Sequence, residues 1–238
     1  MKKLRCLMAG GMVALAGAAH AEVTATVTAA SDYDFRGISQ SAQDPALAAS
    51  VDYAHDSGFY AGIWGSNVDF GPGSDPSLEV DVYGGFKKSL DSGVGFDVGG
   101  VYYTYYDNPK PGVNYFELYA GASYEWFSSK LFYSPDYGGK ATAGNTEAWY
   151  IGGDVAVPLP KDFSLLAHAG YSFGDYWKNL ADEYFDYSVG VGYTLGKFNL
   201  ALKWVDGTDA IDAPGSDYFS SDSKVLFTVS TTFPWSSD

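Results

Sequence analysis

Apolar and polar residues alternate with a period of two in about a dozen short segments between Val23 and Phe233, and turn residues separate the segments. In the first segment Val23, Ala25, Val27, Ala29, Tyr33 and Phe35 fall on one face, and Thr24, Thr26, Thr28, Asp32, Asp34 and Arg36 on the other. A period of two means β-strands whose two faces meet different surroundings. The pattern predicts twelve strands, over residues 23–37, 46–55, 59–68, 78–87, 94–105, 113–124, 128–135, 147–157, 163–173, 184–194, 198–206 and 224–233. Most have the ~9–11 residues that a tilted strand needs to cross a bilayer. The expected fold class is all-β, a closed antiparallel transmembrane β-barrel of about twelve strands, since a bilayer core admits only helices and closed barrels.

The connections support the same architecture. Those after even-numbered strands are short: Asp56-Ser57-Gly58, Ser89 to Gly93, the bend near Trp126, Pro158 to Asp162, and Leu195-Gly196-Lys197. Those after odd-numbered strands are longer and polar, as in residues 71–76, Asp136 to Asn145, Gly174 to Glu183 and Gly207 to Asp222. Short turns at one end and long loops at the other are the layout of outer-membrane barrels, with the short, periplasmic side holding both termini. A soluble sandwich gives no reason for this alternation.

Facing follows from the period. Leu78, Val80, Val82 and Phe86 turn to lipid, and Glu79, Asp81, Tyr83 and Lys87 inward. Phe185, Tyr187, Val189, Val191 and Tyr193 turn out, and Asp186 and Ser188 in. In the last strand Val225, Phe227, Val229 and Phe233 are outside, with Lys224, Thr228 and Ser230 inside.

Residues 1–21 have the features of a cleaved export signal: basic Lys2, Lys3 and Arg5, an apolar stretch from Met8 to Ala18, and Ala19-His20-Ala21 as the small-residue cleavage site. Residues 22–238 then form one barrel domain in the outer membrane of a Gram-negative cell. Cys6, the single cysteine, leaves with the signal, which removes disulfide and thiol chemistry. The net charge of −15 excludes nucleic acid as a partner. Twenty Tyr and six Trp suit the aromatic girdles of a barrel. The expected partners are outer-membrane lipid and lipopolysaccharide, small-molecule solutes, and the barrel-assembly machinery. Phe233 can end the last strand for that machinery, although Pro234-Trp235-Ser236-Ser237-Asp238 follows it.

The inward face is the candidate site. It collects Asp32, Asp34, Asp52, Glu79, Asp81, Asp97, Glu117, Asp154 and Asp186 against Arg36, Lys87, Lys130, Lys203 and Lys224. Surplus carboxylates in a lumen favour cations. Equally, Arg36 can pair with a carboxylate across the lumen and hold a plugged barrel together. Tyr60, Trp64, Tyr83, Tyr103, Tyr115 and Tyr119 also point inward, either as a track for a sugar-like solute or as filling. His168, Ser172 and Asp186 share the inner face, so a hydrolase triad is conceivable. Asp206, Asp209 and Asp212 cluster in the last long loop without the spacing of a calcium-binding loop. No metal or cofactor is expected.

Ser31-Asp32-Tyr33-Asp34-Phe35-Arg36-Gly37-Ile38-Ser39-Gln40-Ser41 resembles the N-terminal signature of the TorF family of porin-like proteobacterial outer-membrane proteins. Residues 58–67, 79–85, 115–119 and 168–171 also fit, so the resemblance spans the barrel domain. It implies an outer-membrane barrel with channel activity. The expected function is therefore passive diffusion of small solutes, weakly selective for cations, with no catalysis. The alternatives are a non-conducting structural or loop-displaying adhesion barrel and, further off, a barrel enzyme acting on lipids.

Overall fold

A computed structural model describes residues 22–72, 76–107, 112–141, 147–180, 182–208 and 217–235. The expected export signal lies outside the described residues, as do Asp209 and Asp212. The strands are β1 (Glu22–Ala30), β2 (Asp34–Phe35), β3 (Ile38–Ser39), β4 (Ala46–Ala54), β5 (Phe59–Asn67), β6 (Leu78–Ser89) and β7 (Val94–Tyr106). They continue as β8 (Tyr115–Tyr124), β9 (Phe127–Ser134), β10 (Ala148–Pro158), β11 (Phe163–Phe173), β12 (Tyr184–Leu195), β13 (Phe198–Gly207) and β14 (Lys224–Phe233). One short helix, α1 (Asp175–Leu180), sits between β11 and β12.

β1 and β4 to β14 form a closed twelve-strand barrel in which each strand pairs with its antiparallel neighbour. Closure is made by β1 on β14, from Ala25 opposite Phe233 to Ala30 opposite Thr228. Eleven of the twelve wall strands begin and end within two residues of the expected limits. The inner and outer faces also follow the period. Leu47, Val51, Phe59, Ile63, Val82, Val98, Val189 and Val225 are exposed on the outside. Exposed aromatics flank this apolar band. Tyr53, Tyr124, Trp126 and Phe163 lie towards the short turns, and Tyr106, Phe116, Phe185 and Trp204 towards the long loops.

The first strand is the correction. It ends at Ala30, not at residue 37. Ser31 makes a last wall bond, its N–H donating to Phe227 O at 2.9 Å. The chain then turns into the lumen, and β2 and β3 form a separate two-stranded hairpin. Asp32, Asp34 and Arg36 are therefore inside the barrel, but on a plug rather than on the wall. The physical cause is the set of partners waiting there, described next.

Candidate functional site

Arg36 and Gly37 are the two-residue turn of the plug hairpin, with φ of 55° and 79°. Positive φ at both central residues is the turn that matches the strand twist of a tight hairpin. Gly37 N–H donates to Asp34 Oδ1 at 3.1 Å, which fixes the turn. A side chain at Gly37 has no room, since a Cβ there would lie 2.7 Å from the Asp186 Cβ on β12. The plug thus touches the wall through bare backbone.

Three ion pairs fasten it. Arg36 Nη1 and Nη2 donate to the two oxygens of Glu117 on β8, at 2.9 and 2.7 Å. Its guanidinium carbon also lies 4.6, 4.9 and 4.2 Å from the ring centres of Phe35, Phe132 and Tyr150. Burial opposes the Arg36 charge, and the neighbouring Glu117 carboxylate overrides it, so the proton is held more tightly than usual. Lys224 on β14 lies 2.6 Å from Asp32 and 2.9 Å from Asp34. Burial pushes the Asp34 carboxyl up, and Lys224 pulls it partly back. Asp32 also accepts from the Ser39 and Ser41 hydroxyls at 2.6 and 2.9 Å. Buried charges persist when they are paired and hydrogen-bonded in this way.

Backbone and aromatic contacts complete the closure. Ser39 N–H donates to Ser220 O, and Asp69 N–H to Gln40 O, so the last and second long loops hold the plug. Above it Ile38 packs with Trp177 of α1, Ala148 and Tyr184, with Tyr137, Tyr176 and Phe219 around them. Phe70 joins Phe219 at a ring distance of 4.8 Å. The long-loop half of the lumen is filled by this plug and aromatic lid.

Glu79, Asp81 and Glu117 face the plug from β6 and β8. Their residues are 2%, 7% and 1% exposed. Tyr33 donates to Glu79 Oε1 at 3.3 Å, and Tyr103 to Glu117 Oε2 at 2.9 Å. Trp64 stacks obliquely on Tyr33, with ring centres 5.3 Å apart. The plug and the wall carboxylates therefore meet in one charged layer.

The short-turn half is polar and less filled. Lys130 pairs with Asp97 at 2.6 Å, and Tyr60 donates to the same carboxylate at 2.6 Å. The Tyr60 and Tyr119 hydroxyls are 2.5 Å apart. Gly85 and Gly99 make this possible, since a Cβ at either would lie about 2.5 Å from one of those hydroxyls. Asp52 accepts from Tyr83 and, at 2.8 Å, from Ser50. On the outside of the same glycines a recess of about 640 Å³ opens between Phe59, Phe86, Val98 and Leu118, facing away from the lumen.

His168 on β11 ties three strands together. Nδ1 lies 2.8 Å from Asp154 Oδ1, and Nε2 lies 2.9 Å from Asp186 Oδ1. The Tyr150 hydroxyl lies 2.8 Å from Nε2 and donates to Asp186 at 3.2 Å. Two carboxylates at the two ring nitrogens are satisfied together by the doubly protonated ring. Both ring nitrogens are thus taken up by Asp154, Asp186 and Tyr150 rather than by Ser172.

Asp52, Tyr60, Trp64, Glu79, Asp81, Tyr83, Glu117, His168 and Asp186 are thus on the inner wall, and Asp32, Asp34 and Arg36 on the plug. Sequence reasoning did not find the plug, the Lys224 counter-charge to it, or the Trp177 lid. The signal for the first was Gly37, a turn-former inside a supposed strand.

The family model that matches this chain, over residues 14–233, is Gcw_chp, described as a bacterial protein of unknown function. The chain belongs to the Gcw_chp family. No curated protein matches its sequence. Among solved structures the Gcw_chp barrel is similar to the KdgM porin, with 10% identity, a TM-score of 0.57, and coverage of 90% of this chain and 99% of the porin. A second structure, "KdgM porin in complex with disordered oligogalacturonate", gives 9% identity and a TM-score of 0.55, covering 90% and 100% of the two chains. The NanC porin gives 11% identity and a TM-score of 0.55, with the same coverage. At these identities the fold is what is shared.

Proposed function

We propose that this protein is an outer-membrane channel for small solutes, weakly selective for cations, and closed at its long-loop end in the conformation described. The carrying observation is a closed barrel with an apolar outer band and a lumen rich in carboxylates. Arg36, Lys224 and Lys130 are each engaged by acidic partners, and outside those ion pairs stand the carboxylates Asp52, Glu79 and Asp81 against Lys87 and Lys203. That surplus favours cations. The TorF resemblance and the porin neighbours support the same class. Lipid and lipopolysaccharide surround the barrel, the export signal and the assembly machinery deliver it, and the short turns face the periplasm. Nothing in this mechanism requires a bond to be made or broken.

The test is single-channel current from refolded protein in a planar bilayer under a potassium chloride gradient. Small steps with a reversal potential on the cation side are expected. Reversal on the anion side refutes the selectivity. Silence from a barrel that is folded by its heat-modifiable gel mobility supports the second reading, a non-conducting structural or loop-displaying barrel. The filled long-loop half specifically favours that alternative.

A further inference from the structure

We infer that Glu79 and Asp81 form a lumenal binding site for a hard divalent cation of the calcium class. The site rests on the lumen reading above only for the route by which the ion enters. The two residues are next-but-one neighbours on β6, so their side chains leave the same face about 6.6 Å apart along the strand. Both are buried, and Glu79 Oε2 and Asp81 Oδ1 have no hydrogen-bond partner among the described residues. The charges acting on Asp81 are those of Glu79 and Glu117, both negative.

The nearby cations are committed elsewhere. Arg36 is held by Glu117, Lys224 by Asp32 and Asp34, and Lys130 by Asp97. Lys87 shares the inner face of β6 but sits opposite Asp97, near the short turns. Two buried carboxylates with free oxygens require either protons or a cation. The donors favour the cation. Besides the carboxylates, the Tyr33 and Tyr105 hydroxyls flank Glu79, giving an all-oxygen set without nitrogen or sulfur. Two carboxylates balance a divalent charge. Among the described residues no three His, Cys, Asp or Glu side chains converge as a metal group. The remaining ligands are then hydroxyls and water, which places the affinity in the weak, roughly millimolar class of extracellular calcium sites.

The test uses the refolded full barrel in detergent micelles, with calcium chloride added at constant ionic strength and with terbium as a luminescent stand-in. Thermal unfolding should shift upward and saturate with calcium, by linkage of binding to the folded state. Terbium excited through Tyr33 and Tyr105 should emit, and calcium should quench that emission by displacement. Both responses should be lost in E79Q/D81N, or in D81N alone if the double variant does not reach the folded gel mobility. They should persist in D91N, which alters an exposed turn carboxylate. An unchanged calcium response in E79Q/D81N overturns the site, since the ion then binds elsewhere. A wild type blind to calcium, with E79Q/D81N more stable than it, also overturns the site and assigns the pair a shared proton. Binding is read without ion flow, so its failure leaves the bilayer experiment standing, and a silent bilayer leaves this one standing.

Discussion

Replacing Arg36 with methionine should open the barrel. The Arg36–Glu117 pair is bidentate, at 2.7 to 2.9 Å, and both side chains are buried. Removing one member of such a pair costs about 3–5 kcal/mol, because the remaining charge is left without compensation. Methionine keeps the packing against Phe35, Phe132 and Tyr150 and deletes only the charge. At 1.4 kcal/mol per tenfold, the docked plug should lose about a hundred- to a few-thousand-fold in population relative to the displaced one. Glu117 regains solvation only if water enters where the plug was. Single-channel recording should therefore show longer or larger openings in R36M than in wild type, in a barrel with unchanged folded mobility. R36M/E117Q removes both charges, so it should close again towards the wild-type level. Wild-type conductance in a folded R36M barrel would refute the idea that the plug is the obstacle. An R36M/E117Q variant as open as R36M would refute the charge reasoning behind it.

Gly37→Ala should displace the same plug by a different route. It forces a side chain into positive φ, at about 1–2 kcal/mol, and into a 2.7 Å clash with Asp186; channel open time checks it, and an unaltered value counts against close docking. Lys130→Met frees the Asp97 carboxylate in the short-turn half, so the reversal potential should move further to the cation side; movement the other way sinks the assigned lumen charge. His168→Ala leaves Asp154 and Asp186 without their shared partner, which should destabilise the barrel by about 1.5–3 kcal/mol per lost charged hydrogen bond. Thermal unfolding reads this, and loss of a lipid-hydrolysing activity in the same variant would instead revive the enzyme reading.

Wall strands were legible because lipid on one side and lumen on the other impose a period of two on every one of them. Leu78, Val80 and Val82 against Glu79 and Asp81 show it on β6. The alternation of short and long connections fixed the pairing order, since each strand joins its sequence neighbour. Inward side chains were legible as a set, but their partners were not. That Arg36 meets Glu117, 81 residues away, depends on strand tilt and register. A lid built from Trp177, Tyr137 and Phe219 was hidden for a related reason. Those aromatics lie in the connections between strands, where a period of two carries no information.

Residues 31–37 show what a period of two does and does not mean. Alternation there is as clean as in the wall, yet the chain leaves the sheet after Ala30. The pattern survives because the plug also lies between two unlike surroundings. Tyr33 and Phe35 turn to an aromatic side of the lumen, meeting Trp64 and Tyr103 at ring distances of 5.3 and 5.9 Å. Asp32 and Asp34 turn to Lys224. Period two reports two environments, and in a lipid-facing strand one of them is the bilayer. In a barrel this small, an inward hairpin replaces water with side chains across half the lumen. The ion pairs that hold this stopper are buried, so its docking depends on both members of each pair being present.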